Sequence, residues 1–141
     1  MVERIVANDK TGVRFSGGAF KYKMENIAPD IIRKRLLMEG FFDIDVTKKT
    51  LEEFFSSITE HLSLRMYGEP IIFSPGGDGK EENQGFDAFV PLIDSGISVY
   101  VWSNKKFFSI IIYTCKDFDE QMAIEFTKNF YKSERIIFES F

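Results

Sequence analysis

Residues 90–120 read VPLIDSGISVYVWSNKKFFSIIIYTCKDFDE. Two apolar runs rich in β-branched and aromatic residues flank the short polar stretch SNKK, a pattern that predicts an antiparallel hairpin. Ser95 stands at the entry to the first run, and Cys115, the only cysteine, at the exit of the second. Loop length decides which residues meet. A three-residue loop, Asn104-Lys105-Lys106, pairs Ser103 with Phe107 and sets Ser95 opposite Cys115; a loop of two or four residues sets Cys115 opposite Asp94. Opposed residues hold their Cβ atoms about 5 Å apart. Either register therefore brings the thiol close to the Asp94–Ser95 peptide bond. A free cysteine in such a place also serves as a small apolar side chain.

Outward from the hairpin, the pattern predicts β-α-β-β-β-β-α-β. LLMEGFFDIDV (36–46) reads as a strand. TKKTLEEFFSSITEHL (47–62) reads as a helix, with Thr47 or Thr50 as N-cap and Leu51, Phe54, Phe55, Ile58 and Leu62 at helical spacing. YGEPIIF is a strand, with Pro70 at its start or on a sheet edge. FDAFVPLID and the two hairpin runs supply three more. DEQMAIEFTKNFYK is the second helix and RIIFESF the last strand. The expected architecture is an α+β two-layer sandwich: an antiparallel sheet covered on one face by two helices. Residues 1–34 read as an N-terminal extension, with turn and edge-strand signals in TGVRFSGGAF and a short helix over NIAPDIIRKRL, and residues 35–141 as the domain. FFSIIIY and FVPLI do not alternate apolar with polar, so the sheet face away from the helices is also apolar. That face calls for a partner, and a homodimer packed sheet to sheet is the expectation.

Composition narrows the function classes. The 141 residues carry a net charge of −4 with scattered Lys and Arg, which argues against nucleic acid. Sixteen Phe promise a bulky core or an aromatic surface. The start, MVERIVANDK, lacks the apolar core of a secretory signal, and no apolar run approaches membrane-spanning length. No membrane association and a cytoplasmic location are expected. One Cys and one His are too few for a zinc site.

Four stretches resemble the core of the prokaryotic, pyruvoyl-dependent S-adenosylmethionine decarboxylases of spermidine synthesis. They are GFDA at 85–88, DSG at 94–96, YVWSN at 100–104 and TCK at 114–116. In the family these are Gly-x-Ser-Gly, Glu-Ser-His, His-Thr-Trp-Pro-Glu and Thr-Cys-Gly, with the same separations. The similarity extends more loosely from Leu36 to the end. The resemblance implies that the chain cuts itself at Asp94–Ser95: the hydroxyl attacks the preceding carbonyl, an ester forms, and elimination leaves a pyruvoyl group derived from Ser95. That ketone is the electron sink while carbon dioxide leaves the substrate. Cys115 would be the proton donor, a duty that suits a thiol because it is largely protonated near neutral pH. Asn104 and Trp102 would contact an S-adenosylmethionine-like ligand, Trp102 by stacking or cation–π attraction.

The departures from the family matter as much. Its processing serine is Asp87 here, and its processing histidine is Tyr100. A phenol donates a hydrogen bond but is a poor base near neutrality. A carboxylate at 87 brings negative charge toward a developing oxyanion, the wrong sign. Asn104 replaces the family's acid on the ribose hydroxyls and loses charge assistance. Asp94 shortens the family's Glu, and Gly96 in place of His frees the backbone just after the bond. Two readings follow: a divergent relative that stays uncleaved and binds or regulates, or an active decarboxylase.

Other candidates read more simply. His61 suits the C-terminus of the first helix, and DFDE (117–120) suits the N-terminus of the second. GGDGK (76–80) lacks the spacing of a phosphate loop. Asp43 and Asp45 share one side of a strand pattern that more simply ends there.

Overall fold

The computed structural model describes residues 24–75 and 84–141. Residues 31–141 form one compact unit holding every described helix and strand, and residues 24–30 belong to another. The elements are β1 (Lys34–Phe41), α1 (Lys48–His61), β2 (Ile71–Phe73), β3 (Gly85–Leu92), β4 (Ser95–Trp102), β5 (Phe107–Thr114), α2 (Glu120–Tyr131) and β6 (Ile136–Ser140). The sheet order is β2-β3-β4-β5-β1-β6. Every neighbouring pair is antiparallel. Element order and architecture match the sequence reading.

Both helices start where their caps dictate. The Thr47 hydroxyl accepts the Thr50 N–H at 3.2 Å, and the Thr50 hydroxyl accepts the Thr47 N–H at 3.0 Å, a reciprocal capping box. Asp119 caps α2 by accepting the Met122 N–H at 3.1 Å. Helix α1 buries Leu51, Phe54, Phe55 and Ile58 against the sheet. Alternate strand residues, among them Leu36, Met38, Ile97, Val99, Ile110 and Ile112, meet them from below with no exposed surface. Tyr131 of α2 lies between the layers, its ring 4.7 Å from that of Phe108 and 5.1 Å from that of Phe54.

Two expectations fail near the domain's start. The helix over NIAPDIIRKRL does not form: residues 24–33 are irregular, and β1 begins at Lys34. Only four residues separate Pro29 from that strand, too few to repay helix nucleation. Pairing of Leu36 with Ile112 buries Leu36 on the sheet, while Ile31 and Ile32 stay exposed. Strand β1 also ends at Phe41 rather than continuing to Val46. The Phe42 N–H turns to the Lys106 carbonyl and the Asp43 N–H to that of Tyr131, so the chain leaves the ladder for the C-terminal end of α2. The extension's strand signals at 11–20 lie outside the described residues.

Candidate active site at the β3–β4 turn

Strands β3 and β4 close through a two-residue turn, Ile93-Asp94, with Leu92 paired to Ser95. Asp94 takes a left-handed backbone, φ 52°. Aspartate tolerates that region better than most residues, at a cost of about 1–3 kcal/mol. The Asp94–Ser95 bond thus follows directly on the strained residue. At the other end, Ser103–Lys105 form a 3₁₀ turn and Lys106 is left-handed, so β4 and β5 are joined by four residues with Trp102 opposite Phe107. The three-residue loop is not the one used. The Ser103 N–H is taken by the Gln84 carbonyl at 2.8 Å, and the Lys106 N–H closes the turn onto Ser103. This register carries Cys115 past the end of β5 to a place opposite Asp94.

Hydroxyl and thiol nevertheless touch. The Cys115 N–H donates to Ser95 Oγ at 2.9 Å, Ser95 Oγ donates to Cys115 Sγ at 3.5 Å, and Sγ donates to the Ile93 carbonyl at 3.5 Å. Both side chains are half-buried. The segment after β5 is pinned on two sides. Lys116 Nζ donates to the Ser63 carbonyl at 2.9 Å. Lys34 Nζ bonds the Asp117 carboxylate and the Phe118 carbonyl, each at 2.7 Å. The lysine's hydrogen bond and charge hold the Asp117 carboxyl below its usual range. A rigid strand end therefore presents Cys115 to the turn.

Gly96 does not free the backbone as the sequence suggests. It lies buried within β4, paired with Pro91 and Tyr113. A Cβ there would stand 2.5 Å from Cε1 of Phe89. The glycine supplies room, and the phenyl ring of Phe89 fills the space that a larger residue 96 would need. Sequence reasoning missed Phe89, the Ile93 carbonyl and the Cys115 amide. Only the glycine beside the serine signalled that something packs there.

The remaining candidates lie elsewhere in the chain. Asp87 and Tyr100 are opposed at mid-sheet on the face without helices. Tyr100 lies five steps along β4 from Ser95, about 16 Å at strand rise. Trp102, its ring 5.4 Å from Phe107, and Asn104 sit at the far end of the hairpin. One chain thus joins Ser95, Cys115 and Asp94 but keeps Asp87, Tyr100, Trp102 and Asn104 apart from them. His61 lays its ring 5.0 Å from that of Phe126. Among the described residues no group of three His, Cys, Asp or Glu could hold a metal, and no helix is long and apolar enough to cross a membrane. GGDGK lies outside the described residues.

Fold and site together define a two-layer α+β protein with a serine–cysteine contact at a strained turn. The sequence profile of the S-adenosylmethionine decarboxylases matches residues 43–141, and the chain belongs to that family. The crystal structure of the adenosylmethionine decarboxylase from Aquifex aeolicus has the same fold: TM-score 0.64 at 16% identity, covering 79% of this chain and 89% of that one. No curated protein sequence matches the chain.

Proposed function

We propose that this chain is a divergent S-adenosylmethionine decarboxylase relative that persists uncleaved and uses the Ser95–Cys115 turn to bind an S-adenosylmethionine-like ligand in a non-catalytic or regulatory role. The observation that carries this reading is the company of the serine hydroxyl. Ser95 Oγ is bonded to the amide and thiol of Cys115, and no imidazole, amine or carboxylate is bonded to it among the described residues. Attack on the Asp94 carbonyl requires the hydroxyl proton to leave. The thiol directs its own proton to the Ile93 carbonyl, and the residues in the family's processing positions, Asp87 and Tyr100, are a strand's length away.

A second reading rests on the 3.5 Å contact itself and on the left-handed Asp94: an active, self-cleaving decarboxylase of S-adenosylmethionine or a related amino acid. Serine and thiol fit a pyruvoyl group derived from Ser95, whereas a phenol in place of the processing imidazole does not. When formed, such a group supplies the electron sink for decarboxylation. Cys115 would then hold the proton to be returned, with Ile93 and the rigid strand end fixing its position. Intact mass after prolonged incubation separates the readings. The first expects one species at the full 16.3 kDa; the second expects fragments 1–94 and 95–141, the latter with a blocked, carbonyl-reactive start. In the second case Cys115→Ala should still cleave but lose turnover, and unchanged turnover would remove Cys115 from its role.

The partner is a second copy on the face without helices, residues 1–34 being an extension to the domain at 35–141. That face carries exposed Phe41, Phe73, Tyr100 and Tyr113. A second copy is also a route by which Tyr100 and Asp87 could meet a Ser95, since the strand keeps them apart within one chain. Light scattering showing a monomer at micromolar concentration would overturn it. A cytoplasmic location fits this reading.

A further inference from the structure

The strand registers align one row of side chains across the whole face without helices. Phe73 lies opposite Asp87, Asp87 opposite Tyr100, Tyr100 opposite Ser109, Ser109 opposite Glu39, and Glu39 opposite Ile137. Four consecutive strands thus place two carboxylates, a phenol and a hydroxyl in line, flanked by mostly apolar rows: Phe89, Ser98, Ile111 and Leu37 on one side, Trp102, Phe107 and Phe41 on the other. Ser109 Oγ donates to Glu39 at 2.8 Å. Asp87 and Glu39 have no cation within ion-pair distance among the described residues.

We propose that this row makes self-association through the sheet proton-linked: two copies dock face to face, and docking takes up protons at Asp87 and Glu39. The inference rests on the sheet-face dimer proposed above and adds its regulation. The face is large enough for a second copy. Four strands of eight residues, with β6 of five and β2 of three, lying about 4.8 Å apart with a rise of about 3.3 Å per residue, offer on the order of 600 Å² before side-chain relief. That approaches the roughly 800 Å² per partner of a standard interface. Its rim of exposed rings favours an apolar counterpart such as itself.

The cost lies at the centre. Moving a carboxylate out of water without a cation favours its neutral form. Within one copy, the other titratable groups described on the face pair with neither carboxylate. On β1, Arg35 donates Nε to the Phe141 carbonyl at 2.8 Å and lies over that ring at 5.4 Å. β6 adds Glu139, another acid; β4 and β5 add the phenols Tyr100 and Tyr113; β2 adds none. Tyr100 and Ser109 can donate hydrogen bonds but carry no charge. A complex that binds more protons than its separate halves strengthens as pH falls.

Sedimentation equilibrium of the full chain from about pH 8 to about pH 6.5 tests this, because the dissociation constant falls by up to about tenfold per pH unit for each proton taken up. The expected result is a dimer that tightens several-fold over that range, with the dependence abolished in Asp87→Asn/Glu39→Gln. Glu52→Gln, on the exposed side of α1, alters net charge equally per site and should keep the slope. A dimer whose affinity is flat with pH, or whose slope survives the double substitution, overturns the linkage and leaves the sheet-face dimer standing. A monomer at every pH overturns both.

Discussion

The two faces of the sheet are built from the same strands, yet they have opposite fates. On the helix side, Met38, Val99 and Ile110 are sealed beneath Phe54, Phe55 and Tyr131. On the other side, the alternate residues of the same strands leave Phe41 64% and Tyr100 38% exposed. Hydrophobicity alone does not account for this, because the outer face sets Leu37, Phe41, Phe89, Phe107 and Ile111 beside Asp87, Ser109 and Glu39. The difference is that one face has cover within the chain. Stability therefore resides mainly in one face, and the recognition proposed here resides in the other.

The strongest way to break this comparison is to truncate one ring on each side. Phe54→Ala should cost about 3–5 kcal/mol in urea denaturation, the usual penalty for a buried phenyl. Phe73→Ala, at a concentration where the chain is monomeric, should cost under about 1 kcal/mol, as exposed substitutions do. An equal loss would mean that the open face is already covered in the single chain.

Next in size is the steric pair beside the serine. Gly96→Ala should destabilise by about 1–3 kcal/mol through overpacking against Phe89. Phe89→Ala should relieve part of that loss in the double variant. Strict additivity in a double-mutant cycle would show that the ring is not what demands the glycine.

A smaller effect should come from the buried layer. The Tyr131 hydroxyl has no hydrogen-bond partner among the described residues, and burial drives its phenol far above the ordinary range. Tyr131→Phe should therefore be neutral or stabilising by about 1 kcal/mol. The unfolded phenol ionises first, near pH 10, so stability should fall as pH rises above that value. This fall should diminish in Tyr131→Phe; its full persistence would assign it to other groups. The smallest effect is local. Lys34→Met should let the Asp117 carboxyl titrate at higher pH by NMR, since the lysine is what holds it down. Asp117 contributes stability above the unfolded carboxyl range and loses it as pH falls through its lowered folded value, and that acid limb should weaken in Lys34→Met.

Much of the fold was legible because its signals are local. Thr47 and the Leu51–Phe54–Phe55–Ile58 spacing identify α1, and the two apolar runs around SNKK identify the hairpin. The short helix around Ile31 and Ile32 was misread for the same reason: a local pattern yielded to the pairing of Leu36 with Ile112, a partner remote in sequence. At the candidate site, Ser95 and Cys115 could be named from their places at the strand ends. Their reciprocal bonds could not, because these depend on the four-residue loop and on how the strand ends bend.

The sequence by itself determined the order of elements, the helix caps, the two-sided apolarity of the strands and the neighbourhood of Ser95 and Cys115. These follow from periodicity and short-range chemistry. Only the tertiary structure decided that Phe89 fills the space beside Gly96 and that Asp87 and Glu39 share one row. Those relations depend on register between strands distant in sequence, and register is fixed by the packing of the whole sheet rather than by any one segment.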